Sequence, residues 1–261
     1  TSAAKGTAEA DGVNSSSIDM GVGNDILTIE ASATGDNAIA RDIYALYSQG
    51  YTVDAGAGND SIHLSATAAG TLSSLAVGVS NATLLAGTGD DTLDVSILAT
   101  GGNAVAMGLQ QAIVNLGDGN DVAHFDVRTD GDAYGITNGT NGYKVTGPGV
   151  LDLGSGNDTL TIDVHAGHNA YGMYNSTLSA GEGDDRVMIT TDGAAGSWGV
   201  YGSKVDMGAG HDYLSIKAGA AGSGTAMENS TADMGAGNDT VEIAGSIHNA
   251  TVLAGLGKDM L

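Results

Sequence analysis

Asp152-Leu153-Gly154-Ser155-Gly156-Asn157-Asp158-Thr159-Leu160-Thr161-Ile162 is the most informative stretch of this chain, because near-copies of it return along the whole length. Its core reads apolar, Gly, any, Gly, Asn or Asp, Asp, any, apolar, any, apolar. The closing aspartates are Asp25, Asp60, Asp91, Asp121, Asp158, Asp185, Asp212, Asp239 and Asp259, and two glycines precede each of them at the same spacing. Their separations are 35, 31, 30, 37, 27, 27, 27 and 20 residues. A basic unit of about 27 residues, repeated nine times, is the signature of a repeat architecture.

Outward from each turn the pattern has period two. Apolar residues stand three and one places before the first glycine, as in Leu151 and Leu153 or Val205 and Met207, with a polar residue between them. They recur two and four places after the aspartate, as in Leu160 and Ile162 or Leu214 and Ile216. Such alternation marks strands with one buried face, so each turn joins two strands that bury side chains in the same interior. A third strand is expected midway, at stretches such as Ala133-Tyr134-Gly135-Ile136 and Ala170-Tyr171-Gly172-Met173. Which of its residues face inward stays open, because the glycine and the next apolar residue have opposite parity. One tight turn per 27 residues is too sparse for a meander of hairpins. The expected fold is all-β: a parallel β-helix of about nine coils over residues 1–261, with equivalent strands stacked about 4.8 Å apart. Insertions near residues 31–50 and 138–149 are expected as loops bulging from its side.

Composition agrees with a thin core. The chain has 43 Gly, one Phe, one Trp and no Cys, so Ala, Val, Leu, Ile and Met must fill the interior and no disulfide can staple it. Its formal charge of −23 disfavours nucleic acid and anionic membrane as partners and favours cations. No apolar run approaches membrane-spanning length. Thr1-Ser2-Ala3-Ala4 does not read as a signal peptide, so the sequence reads as a mature product, a fragment, or a chain exported by a signal lying elsewhere.

In a parallel stack the nine aspartates form one column, with neighbours about 5 Å apart. Like charges at that range repel by roughly 1 kcal/mol per pair even in water. Either the carboxylates are turn-capping groups only, or a divalent cation lies between successive turns. Carboxylates and turn carbonyls make a hard, flexible oxygen shell, which suits Ca²⁺ better than Mg²⁺. The unit Gly-x-Gly-Asn-Asp-x-Leu-x-Ile resembles the nonapeptide of the RTX, or haemolysin-type, calcium-binding repeats of secreted bacterial proteins. That resemblance implies calcium ligation by Asp25, Asp60, Asp91, Asp121, Asp158, Asp185, Asp212, Asp239 and Asp259, together with turn carbonyls. It also implies an extracellular or cell-surface location. Three departures from the family pattern stand out. The leading Gly is replaced by Met, Ala or Leu, only one such turn occurs per coil, and His211 and Lys258 stand before two of the aspartates. One column of ions is implied instead of two.

Joining Leu261 of one copy to Thr1 of the next places Asp25 at 2 + 25 = 27 residues beyond Asp259, one basic coil. The expectation is a secreted calcium-binding structural protein stacking head to tail into a filament, surface layer or matrix fibre, with itself as partner and a surface polysaccharide as a further candidate. The alternatives are a solenoid spacer module of a larger exported adhesin or enzyme, and a carbohydrate-active β-helix enzyme. Catalysis is not expected, because Lys5, Arg41, Arg128, Lys144, Arg186, Lys204, Lys217 and Lys258 are scattered among coils. His165 and His168 read as a solvated pair before they read as a metal site. Tyr134, Tyr171 and Trp198, with Tyr174 and Tyr201, read as a stacked ladder, with a sugar-binding or lateral packing stripe as the alternative. An ice-binding array is not expected, because the outward residue after each aspartate (Ile26, Ser61, Thr92, Val122, Thr159, Arg186, Tyr213, Thr240, Met260) is irregular.

Overall fold

The computed structural model describes residues 6–45, 50–139 and 149–261. Every strand pairing among them is parallel, and the strands stack coil upon coil into a parallel β-helix with three strand columns. The column before the turn is a nine-stranded sheet running from Ile18–Asp19 to Thr251–Leu253. The columns after the turn and at mid-coil belong to one 15-stranded sheet. They merge because Ile26–Tyr44 and Ser61–Ser80 each run through both columns without a break. The all-β, parallel, nine-coil expectation therefore holds.

Period-two alternation sets the packing. Leu160, Ile162 and Val164 of Thr159–Ala166 are fully buried. Leu93, Val95 and Ile97 sit two coils before them, with Ala123, Phe125 and Val127 between. Phe125, the one phenylalanine, is 0% exposed. The main core is one continuous cluster to which every coil contributes several small or branched side chains, so burial accrues coil by coil.

The parity problem of the third strand is resolved by a kink. Ala133, Gly135 and Ile136 all face the interior, whereas Tyr134 pairs on the outer side with Tyr171. Strand pairing steps from Tyr134↔Tyr171 to Ile136↔Met173, leaving the glycine between them. A side chain there would collide with the opposite wall: a Cβ on Gly172 would lie 2.3 Å from Ile189 Cγ2. The glycine column lets the post-turn strand pack against bare backbone.

The insertions differ from expectation. Residues 31–44 are not a bulging loop; they continue the long strand Ile26–Tyr44, in register with Ser61–Ser80. Extra length there is absorbed by extending paired strands, which satisfies backbone groups that a loop would leave to water. Residues 46–49 and most of the 138–149 insertion lie outside the described residues, as do Lys5, Lys144 and the Thr1-Ser2-Ala3 end.

A second corner, invisible as a turn motif, lies between the mid-coil and pre-turn columns. Ser15, Asn81, Gln111, Asn175, Asn229 and Asn249 take positive φ there, between 47° and 53°. Asparagine tolerates that conformation, so Asn81-Ala82-Thr83 and Asn175-Ser176-Thr177 are corner chemistry followed by the first residue of a strand.

Asp42 breaks the glycine column, lying opposite Gly12 and Gly78 and fully buried. Its Oδ1 accepts a hydrogen bond from the Ala31 N–H at 3.2 Å, and Oδ2 is buried without a partner. Burial pushes its carboxyl up to about 8, with the Glu30 charge adding to the rise and the Ala31 bond opposing it. A raised folded-state value means that ionisation opposes folding, starting above the unfolded value of 3.8 and complete near pH 8. Asp42→Asn should match the parent at pH 4 and exceed it by on the order of 4 kcal/mol at pH 8. Paired denaturant titrations across that range, in calcium throughout, read the difference; a pH-independent gap would show that Asp42 stays neutral or reaches water.

Candidate metal column

Each turn is built on its glycines. Gly154 and Gly156 take φ of 106° and 123°, and Cβ atoms on them would lie 1.8 and 1.7 Å from the carbonyl oxygens of Gly117 and Gly119 one coil below. Only glycine permits this backbone-on-backbone stacking. The residues between the glycines pair from coil to coil, as in Ser155↔Glu182 and Glu182↔Ala209.

Two ladders of opposite direction then fix the turns. Oδ1 of each closing aspartate from Asp60 onward accepts the backbone N–H of the closing aspartate in the coil before. The series runs from Asp25 N–H to Asp60 Oδ1 at 2.7 Å through Asp158 N–H to Asp185 Oδ1 at 2.9 Å, and ends with Asp239 N–H to Asp259 Oδ1 at 3.1 Å. All nine predicted aspartates are thus brought into one column. The residue before each of them, except Lys258 at the last turn, accepts from the next coil, as Asn24 Oδ1 does from the Asn59 N–H and Asn157 Oδ1 from the Asp184 N–H. This second ladder was missed in the sequence, where His211 reads as a departure. In the structure His211 Nδ1 accepts from the Asn238 N–H at 2.9 Å, so the imidazole serves as an acceptor like the asparagines. The signal available was the run of short acceptor side chains at that position.

The other carboxylate oxygen has nothing to bind. Oδ2 of Asp25, Asp60, Asp91, Asp121, Asp158, Asp185, Asp212 and Asp239 is buried with no hydrogen-bond partner. The six from Asp60 to Asp212, and Asp239, are at most 2% exposed as residues. Among the described residues no hydrogen bond reaches the carbonyl oxygens of the second turn glycines, such as Gly58, Gly119 and Gly156. Those carbonyls point up the column, and the place a Cβ of Gly23 would fill is 3.7 Å from both Asp25 carboxylate oxygens. An oxygen-only cradle with unmet acceptors repeats at every interval.

Electrostatics show the cost. Burial lifts the carboxyls of Asp121 and Asp185 to about 6 and of Asp158 and Asp212 to about 7, and raises that of Asp91. Neighbouring carboxylates add to each rise, and the N–H from the coil before opposes it. A buried carboxylate without a counter-charge is costly. A hard cation beside Oδ2 and the glycine carbonyls would offset that cost, and the donor set fits Ca²⁺. Among the described residues no three His, Asp or Glu side chains are closed around a common point, so backbone carbonyls would complete any shell.

The remaining candidates are separate. His165 lies on a strand, in register with Arg128 and Asp192, while His168 Nδ1 sits 2.7 Å from Asp132 Oδ1. The cations are dispersed: Arg41 pairs with Glu9 and Asp11, Arg128 with Asp126, and Lys204 with Asp206. Tyr134, Tyr171 and Trp198 stack face to face at 5.0 and 4.8 Å, and Tyr174 on Tyr201 at 5.2 Å. Rings that cover one another's faces offer only edges outward, which favours the stiffening ladder over sugar stacking. No helix among the described residues is long and apolar enough to cross a membrane.

The chain matches no protein-family model and no curated protein sequence. Among solved structures it is similar to a hyperactive, Ca²⁺-dependent, β-helical antifreeze protein from an Antarctic bacterium. That match covers 96% of this chain and 78% of the other, at 16% identity and a TM-score of 0.38.

Proposed function

We propose that this chain is a calcium-binding structural β-solenoid of an extracellular assembly, without catalytic activity of its own. The observation that carries the reading is the column of eight buried, unpartnered Oδ2 atoms. Asp25, Asp60, Asp91, Asp121, Asp158, Asp185, Asp212, Asp239 and Asp259 would hold the ions together with the second-glycine carbonyls. Nine aspartates leave eight intervals, and eight divalent ions would add 16 positive charges to a chain of −23. Oxygen cages of this flexible kind bind at roughly 0.1–1 mM in extracellular modules, which supports secretion to a calcium-rich space. The dispersion of cationic side chains supports the non-catalytic part.

Parallel strand columns can be extended by another coil of the same kind, and heterologous stacking of that sort extends without closing. The reading therefore includes end-to-end association into a filament or layer, the next coil coming from a second copy. Electron microscopy with millimolar calcium, then with excess EGTA, tests both parts. Filaments that dissolve on chelation are expected. Short rods that bind calcium would remove the association and leave a spacer solenoid. Particles unaffected by chelator, with no calcium retained on dialysis, would overturn the metal reading.

A further inference from the structure

The corner between the post-turn and mid-coil columns, which takes no part in the calcium reading, is a trench. Three adjoining cavities of about 850, 410 and 350 Å³ lie along it; the first two share Gly101 and the last two share Asp130. They run over seven successive coils, from Gly6 to Ala194, a length of about 29 Å at six intervals of about 4.8 Å. We propose that this trench is a binding groove for a linear, neutral polysaccharide, with the sugar chain lying along the coil axis.

Glycine makes the floor. Gly101 has a φ of 101°, and a Cβ on it would lie 1.9 Å from the Gly70 oxygen; one on Gly131 would lie 1.9 Å from the Ala104 oxygen. Coils stack this closely at the corner because side chains are missing there, so the floor is bare backbone. Its amides are spent from coil to coil, as in Gly102 N–H to the Gly70 oxygen at 3.1 Å and Gly167 N–H to the Thr129 oxygen at 2.8 Å. An extended peptide therefore finds no strand edge to pair with. The rim is polar. Thr71 Oγ1 donates to Asp36 Oδ1 at 2.8 Å and the Gly101 N–H to Asp130 Oδ2 at 2.9 Å, each leaving the second carboxylate oxygen to a ligand. At the far end Arg128, His165 and Asp192 stand in register on successive strands, and neither His165 nor Asp192 has a hydrogen-bond partner among the described residues.

This lining matches a chain of hydroxyl groups. Carboxylates accept from sugar O–H groups, the guanidinium and imidazole donate to sugar oxygens, and the C–H face of a ring lies against bare backbone. Charge selects the neutral kind. Asp36, Asp130, Asp132 and Asp192 border the trench, against Arg128, whose Nε is held by Asp126 at 2.7 Å. An anionic polysaccharide would be repelled. Leu98 and Val105 are the only apolar side chains larger than alanine along the three cavities, so the apolar anchors of a peptide or lipid find no pocket.

The test immobilises the folded chain on a biosensor in millimolar calcium and passes over it hydroxyethyl cellulose, galactomannan and dextran as neutral chains, with carboxymethyl cellulose as the anionic counterpart. Binding of at least one neutral chain is expected. Thr34→Tyr and Thr100→Tyr put a ring into the trench and should each weaken that binding by about tenfold or more. His165→Ala and Asp192→Ala remove single hydrogen bonds and should weaken it about three- to tenfold. Thr177→Tyr, on the outer face of the pre-turn sheet, is the control and should change nothing. Circular dichroism confirms folding, and His165→Ala keeps the test alive if a tyrosine variant fails to fold. The proposal is overturned if no neutral chain binds, if carboxymethyl cellulose binds most tightly, if the four groove variants bind like the parent, or if Thr177→Tyr loses binding equally. Because calcium is present throughout and the readout is sugar binding, each of these results would leave the calcium reading untouched.

Discussion

At pH 8 with excess chelator, the chain is expected to lose most of its β-sheet circular dichroism; at pH 5 with the same chelator, it is expected to keep it. The sign follows from the aspartate column. Asp121, Asp158, Asp185 and Asp212 have folded-state values of about 6 to 7, raised from 3.8 by burial. A group whose value is raised on folding binds protons more tightly in the folded state. Below about pH 4 both states are protonated and nothing is lost; as pH climbs towards 7 the unfolded chain ionises while the folded one resists. Each group then opposes folding by on the order of 1–3 kcal/mol, and neighbours that share protons do not add simply. A typical folding free energy is about 5–15 kcal/mol, so four such groups can abolish it.

Calcium reverses the dependence. With the ion bound, ionised carboxylates are the ligands, and protons compete with the metal. Thermal midpoints should therefore rise with pH in millimolar calcium and fall with pH in EGTA, the two curves crossing. Asp158→Asn separates the roles: it should stabilise the calcium-free chain at pH 8 and bind fewer ions. Parallel curves with and without calcium would sink the metal role and leave the aspartates as turn-capping groups.

Gly154→Ala should prevent folding or cost more than about 4 kcal/mol, while Gly21→Ala at the equivalent turn position should cost only about 1 kcal/mol. Both residues have positive φ, 106° and 91°, so both alanines carry the same backbone strain. They differ in what lies below. A Cβ on Gly154 would sit 1.8 Å from the Gly117 oxygen, whereas Gly21, in the first coil, has nothing within 4 Å. The difference between the two variants therefore measures stacking alone. Urea midpoints in saturating calcium would show it, with expression as inclusion bodies the expected fate of Gly154→Ala. Equal effects would mean that the coils can part locally without loss.

Most of the architecture was legible because it repeats. Nine copies of one turn, each flanked by period-two strands such as Leu151–Leu153 and Leu160–Ile162, leave coiling as the economical way to bury every apolar face on one axis. The candidate ligands were legible for the same reason: identical spacing places Asp25 through Asp259 in one column. The stacked aromatic ladder followed from equivalent positions of Tyr134, Tyr171 and Trp198.

Other features depend on what one coil meets in the next, which no local pattern encodes. Gly135 and Ile136 both face inward because the strand kinks where Ile162 presses on it, and strand periodicity alone forbids that. Residues 31–44 form strand instead of loop because Ser61–Ser80 offers a partner of matching length. His211 works as an acceptor only because the Asn238 N–H lies above it. His63, Asp94 and His124, 31 and 30 residues apart, meet only because the insertions between them are absorbed elsewhere in the coil. Sequence repetition dictates which residues share a column; the packing of unequal coils dictates which atoms within that column touch.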